Sequence, residues 1–295
     1  MASLSEFFVD PLRFEFMQRA LVALALVSLV SAVIGAFVVV KGMAFIGDAL
    51  AHASFAGVAA AFVMGVSIYY GAVVAAVLTA VAITYVSRQA RVQFDTAIGI
   101  LFVGAFSLGI VIMSARDVYT VDLFSFVFGN VLGVGWEDVW LIAGLGVAVI
   151  LVVALFYKEL LFTAYDPTMA AAVGIPVALV EYGLLALVGL STVIALKAVG
   201  IVLVVAMLVT PPATAALFVR RLPAVMAVSA AVAIASSVIG LYVSYHAGTA
   251  SGASIVLVAT AFFVAGLVAS PRHGLVAAWL LSRPGEERSA KPSPS

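Results

Sequence analysis

The chain has 295 residues, 65% hydrophobic and 9% charged, with a formal net charge of zero and no cysteine. A soluble domain carries about a quarter charged residues, so this chain has too little polar surface to coat a water-facing globule. Disulfides, thiolate metal ligands and thiol chemistry are excluded, and only helices or a closed barrel can satisfy such a backbone in lipid.

The apolar runs are long and uninterrupted, about 18–25 residues each, which is the length of a spanning helix and not of an alternating barrel strand. The expected fold class is an all-α polytopic membrane protein with eight to nine transmembrane helices. Residues 1–15 form an N-terminal segment whose Glu6, Asp10 and Glu15 are unlike the basic lead of a cleavable signal. A membrane domain follows over 16–281, with spans at about 16–40, 44–64, 69–87, 97–114, 139–157, 177–196, 199–218, 223–245 and 253–270. The Gly-punctuated stretch "DLFSFVFGNVLGVGW" (122–136) is too short to span and reads as a re-entrant piece. Residues 282–295, rich in Pro, Ser and charge, read as a disordered cytoplasmic tail.

Nine spans with the N-terminus outside place ten of the fourteen basic residues on the cytoplasmic side, among them Lys41, Arg88, Lys158 and Arg220. The longest loop on that side, 158–176, contains a punctuated short helix. Asp166 is a natural N-cap, Pro167 suits the first helical position, Thr168 and Met169 continue it, and Gly174 followed by Pro176 stops it. Such a helix suits docking to a soluble partner; a connector that folds locally gives the same pattern.

Few ionisable residues fall within spans. Glu181 and Lys197 lie near helix ends, where they can reach the interface, and are read as structural. Asp48 and His52 lie in the apolar "GMAFIGDALAHASFAGVAAAFVMG" (42–65), where an ionisable residue normally faces protein or a water-filled path. At i and i+4 they share one helix face, so a carboxylate oxygen and an imidazole nitrogen can grip one divalent cation, the remaining ligands coming from elsewhere. An Asp–His hydrogen bond that only locks packing is the other reading. Ala49, Ala53 and Gly57 recur at four-residue spacing, a small face that lets helices approach closely and places this helix centrally. At Thr210–Pro211–Pro212 the prolines cannot donate to the carbonyls of Met207 and Leu208, which predicts a kink or break, either in a helix that lines the pathway or for packing alone. No G-x-x-x-x-G-K-[ST], H-E-x-x-H or G-x-S-x-G occurs, so the chain has no ATPase P-loop and no recognisable protease or hydrolase set of those kinds.

"KGMAFIGDALAHASFAGVAAAF" (41–62) resembles the G-D-x-x-x-H signature of permease subunits of the manganese/zinc ABC importer family. "DLFSFVFGNVLGV" (122–134), "GIPVALVEYGLLALVGLSTVIALKAVGIVLVVAMLVTPPATAALF" (174–218) and "GLYVSYHAGTASGASIVLVATAFFV" (240–264) are similar in the same order, so the likeness covers about 20–270. The resemblance implies a vitamin-B12-importer-like core and a homodimeric permease in the bacterial cytoplasmic membrane. Its implied partners are cytoplasmic ABC ATPase subunits, an extracytoplasmic metal-binding protein, a second copy of the permease and the lipid bilayer, with no nucleic acid. The chain would be a transport subunit and not an enzyme, with no permanently bound cofactor and Mn2+ or Zn2+ as cargo. Asp48 and His52 would contact the metal, and Pro167 to Val173 would be the ATPase-coupling helix. Thr210 and Pro211 match the family pattern, while Pro212 stands where a small residue is expected. Two other readings stay open: an ion-coupled secondary transporter using Asp48 and His52 as a proton relay, and an ABC permease for an iron chelate or other small cofactor.

Overall fold

A computed structural model describes residues 10–90, 92–115 and 131–270, excepting the side chains of 197 and 198. The described residues are helical, with no strand: α1 (Glu15–Val40), α2 (Ile46–Met64), α3 (Ile68–Gln89), α4 (Phe94–Ser114), α5 (Trp136–Leu155), α6 (Tyr157–Tyr165), α7 (Pro167–Ala172), α8 (Val177–Ala216), α9 (Leu222–Ala247) and α10 (Ser251–Ala269). Counting α8 as two, nine candidate spans among the described residues are long and apolar enough to cross a membrane. They fall on the nine expected runs. The re-entrant reading of 122–136 lies mostly outside the described residues; what is described is a 3-10 turn at Val131–Gly133. Lys197 and the tail at 282–295 also lie outside the described side chains or residues.

Burial sorts the helices. α1, α2 and the second half of α8 are the most enclosed, while α4, α5 and α10 present most of their surface outward. α1 meets α8 and α9; α2 meets α3, α4 and α8. The enclosed core is built from α1 and α8 residues such as Phe37, Ile34, Leu203, Met207 and Leu208, joined by Ile46 and Leu50 of α2. Ser28 of α1 and Ser237 of α9 share a hydrogen bond of 3.1 Å in the buried interface.

Small residues set the closest approaches. Gly57 of α2 and Gly71 of α3 face each other so tightly that a Cβ on either would overlap the other's carbonyl oxygen. Gly57→Ala or Gly71→Ala is therefore expected to force α2 from α3 and cost about 1–3 kcal/mol, as overpacking does. A lowered melting temperature of the detergent-solubilised protein checks this, and unchanged melting in both variants would contradict it.

α1 ends in a left-handed glycine turn. Gly42 has φ 69°, and the N–H groups of Gly42 and Met43 donate to the carbonyls of Val39 and Val38. These two bonds satisfy the last carbonyls and hold Lys41 at the helix C-cap. α2 begins three residues after Met43, so Asp48 lies in its first turn and close to that end of the bundle.

The helix break lies elsewhere than the prolines suggest. Within α8 the non-helical dihedrals are at Gly200 (φ 77°, ψ 168°), whereas Thr210, Pro211 and Pro212 keep helical dihedrals. The expected break at 210–212 is thus corrected to a position ten residues earlier. Glycine supplies the positive φ at no steric cost. The prolines are absorbed by packing: a Cβ at Gly35 of α1 would overlap the Leu208 carbonyl and meet the Pro212 ring at 2.8 Å, so only glycine admits both.

Candidate functional site

Asp48 and His52 do come together on α2. His52 Nδ1 lies 3.1 Å from Asp48 Oδ1 and 3.0 Å from the Asp48 carbonyl oxygen. Both partners are acceptors, so the proton belongs on Nδ1, which donates to them and leaves the Nε2 lone pair free. A histidine oriented in this way through its other nitrogen is the usual posture of a metal ligand. Nε2 points away from the Asp48 carboxylate that holds Nδ1, so Asp48 orients the ring here.

The sequence reading missed the walls of this site. The His52 ring sits edge-on to Phe102 and Phe106 of α4, with centroids 5.6 and 5.5 Å apart, and Phe106 also meets Phe55 of α2. Phe102 and Phe106 are themselves an i, i+4 pair, a visible signal that they share the helix face turned toward α2. An aromatic slot fixes the imidazole plane and excludes lipid from one side.

The other side is open. The side chains of Asp48 and His52 are 39% and 27% exposed on a spanning helix. An ionised side chain on a spanning helix is costly in hydrocarbon, so in the membrane such a pair faces water or protein. The described residues contain no group of three or more His, Cys, Asp or Glu able to hold a metal. Within one chain the described pair offers two candidate ligands.

The expected residues of the 166–174 segment lie on α7 and at its two ends. Asp166 Oδ1 accepts from the Met169 N–H at 2.8 Å, a true N-cap, and Pro167 occupies the first position of α7. At the other end Gly174 (φ 91°) and Ile175 donate to the carbonyls of Ala171 and Ala170, closing the helix before Pro176 starts α8. Met169 and Val173 are 55% and 65% exposed. The preceding helix α6 was not foreseen, because "YKELLFTAY" has no cap signals of its own. Glu181, read as structural, is ion-paired to Lys41 (3.3 Å) and Arg88 (2.6 Å).

Apolar spans around a close-packed inner helix that bears an open polar pair define a polytopic membrane transport subunit. The family model described as the ABC 3 transport family matches residues 13–270. The chain is 46% identical over 290 residues to the manganese transport system membrane protein MntC of Halalkalibacterium halodurans, covering 98% of this chain and 99% of that protein. It is 38% identical over 260 residues to the manganese import system permease protein ScaB of Streptococcus gordonii, covering 88% and 93%. Its fold matches a chain of PsaBC from Streptococcus pneumoniae, solved in complex with Fab, with TM-score 0.82 and 36% identity over 94% of this chain and 99% of that one. The chain belongs to the ABC 3 transport family. It is the membrane permease component of a metal importer and a multi-pass bacterial membrane protein, a transport subunit rather than an enzyme.

Proposed function

We propose that two copies of this chain form the translocation path of an ATP-driven importer of Mn2+, with Asp48 and His52 as the ion's transient ligands. The observation that carries the reading is the half-exposed Asp48–His52 pair on an otherwise apolar spanning helix. Pairing two half-sites across a twofold axis supplies two imidazole nitrogens and two carboxylates, and removes both pairs from lipid at once. That oxygen and nitrogen set accepts Mn2+ and Zn2+ alike. The naming of the relatives as manganese transporters favours Mn2+.

The chain has no P-loop, so hydrolysis belongs to separate ATPase subunits. α7 offers them a capped helix with outward Met169 and Val173, on the face that Lys41, Arg88 and Arg220 mark as cytoplasmic. An extracytoplasmic binding protein delivers the bare ion at the far end of α2, near Gly65. Closure of the ATPases moves α7 and switches the path between its two openings, a rigid-element transition. Two ligands per chain keep the ion's residence short enough for release.

The complex reconstituted in proteoliposomes with its ATPase and binding protein tests this. Uptake of 54Mn2+ that requires ATP is expected, with Zn2+ carried more slowly. ATP-independent uptake driven by a proton gradient would reject the reading in favour of a secondary transporter.

A further inference from the structure

The cytoplasmic-end ion triad is the largest group of charged contacts among the described residues that the transport reading leaves unused. Glu181 lies in the second turn of α8 and reaches Lys41 at the C-cap of α1 and Arg88 in the last turn of α3. Three helices that are distant in sequence thus meet on one carboxylate. The side chains of Lys41, Glu181 and Arg88 are 15%, 24% and 41% exposed, so the contacts are partly withdrawn from solvent.

Both ends of the connection are stiff. α7 is closed by the paired Gly174 and Ile175 hydrogen bonds and passes through Pro176 directly into α8, five residues before Glu181. Lys41 is held by the matching pair of bonds at Gly42 and Met43, and α2 starts at Ile46 with Asp48 in its first turn. A displacement of α7 therefore moves Glu181, and a pull on Lys41 moves the entry to the helix that carries the proposed metal ligands.

A cavity of about 450 Å3 lies beside the triad, lined by Met43, Leu184, Leu185, Phe94 and Asp95 as well as by the charged residues. The α1–α2 turn and the first half of α8 both border this cavity, and Glu181 reaches Lys41 beside it. The break at Gly200 further separates the first half of α8 from the second half, which meets α2 through Leu208 against Gly47.

We infer that Glu181 is a positioning residue that transmits movement of α7 to the Asp48-bearing helix through Lys41, with Arg88 holding its carboxylate in line. The inference rests on the proposed ATP-driven transport. Spatial intermediacy alone does not establish coupling, so the test measures coupling itself.

The experiment compares ATP hydrolysed per Mn2+ imported in proteoliposomes for the wild-type complex, Glu181→Gln, Lys41→Met and the double variant, together with Mn2+ binding to the solubilised permease. Glu181→Gln is expected to raise the ATP-to-Mn2+ ratio about 10-fold with binding unchanged, a loss within the usual span of intersite coupling. The double variant should be no worse than Glu181→Gln alone, since both remove one interaction. Glu181→Asp, which keeps the charge on a shorter arm, should give an intermediate ratio, and it supplies the reading if Glu181→Gln fails to assemble. An unchanged ratio, additive effects, or parallel loss of Mn2+ binding and uptake overturns the inference. Absence of ATP-driven uptake by the wild-type complex sinks instead the transport reading on which it depends.

Discussion

His52→Ala permease, assembled with its ATPase and binding protein, is expected to import Mn2+ at less than about one-hundredth of the wild-type rate, since ligand loss exceeds the 10–100-fold effect typical of residues behind a metal ligand. The substitution removes the only imidazole at the site among the described residues and takes from Asp48 its ring partner. Asp48→Asn should be milder, about 10–100-fold, for a geometric reason. His52 Nδ1 also lies 3.0 Å from the Asp48 backbone carbonyl, which the asparagine retains. The ring therefore stays aimed, and what is lost is one anionic donor. A purely structural Asp–His lock predicts the opposite pattern, with transport retained and the melting temperature lowered. Uptake of 54Mn2+ and thermal denaturation of the same preparations separate the two.

The second large effect is expected at α7. Replacing Asp166 by Ala removes the acceptor of the Met169 N–H, and an N-cap of this kind is worth about 1 kcal/mol. Exchanging Pro167 for Gly as well removes the preset first dihedral. A six-residue helix has almost no stability of its own, so the pair of changes unfolds it for much of the time. Mn2+ uptake by the double variant should fall at least about 10-fold while ATPase activity loses its response to the loaded binding protein, as expected when a coupling contact is removed. Mn2+ binding to the solubilised permease should be unchanged, because α7 is separate from the Asp48–His52 site in the fold. Normal import by the double variant would show that the docking element lies elsewhere.

The spans and the polar pair were legible because both are local. A run of apolar residues long enough to cross a bilayer declares itself without knowledge of its neighbours, and i, i+4 spacing places Asp48 beside His52 on any helix. The cap at Asp166 was legible for the same reason, its hydrogen bond reaching only to Met169. What escaped the sequence is tertiary. Phe102 and Phe106 become walls of the site only once α4 lies against α2, and Glu181 gains its meaning from Lys41 and Arg88, 140 and 93 residues away. The helix break was misplaced because prolines are judged by the bonds they remove. Gly35 accommodates the Pro212 ring and the Leu208 carbonyl, whereas Gly200 turns freely.

On the proposed mechanism one Mn2+ is held between two copies of the chain by Asp48 and His52. Pulsed electron paramagnetic resonance of Mn2+ bound to the solubilised permease, combined with metal analysis, measures it directly. One Mn2+ per two chains is expected, with a 14N coupling from imidazole that disappears in His52→Ala. One Mn2+ per chain, or a nitrogen coupling that survives His52→Ala, would contradict it.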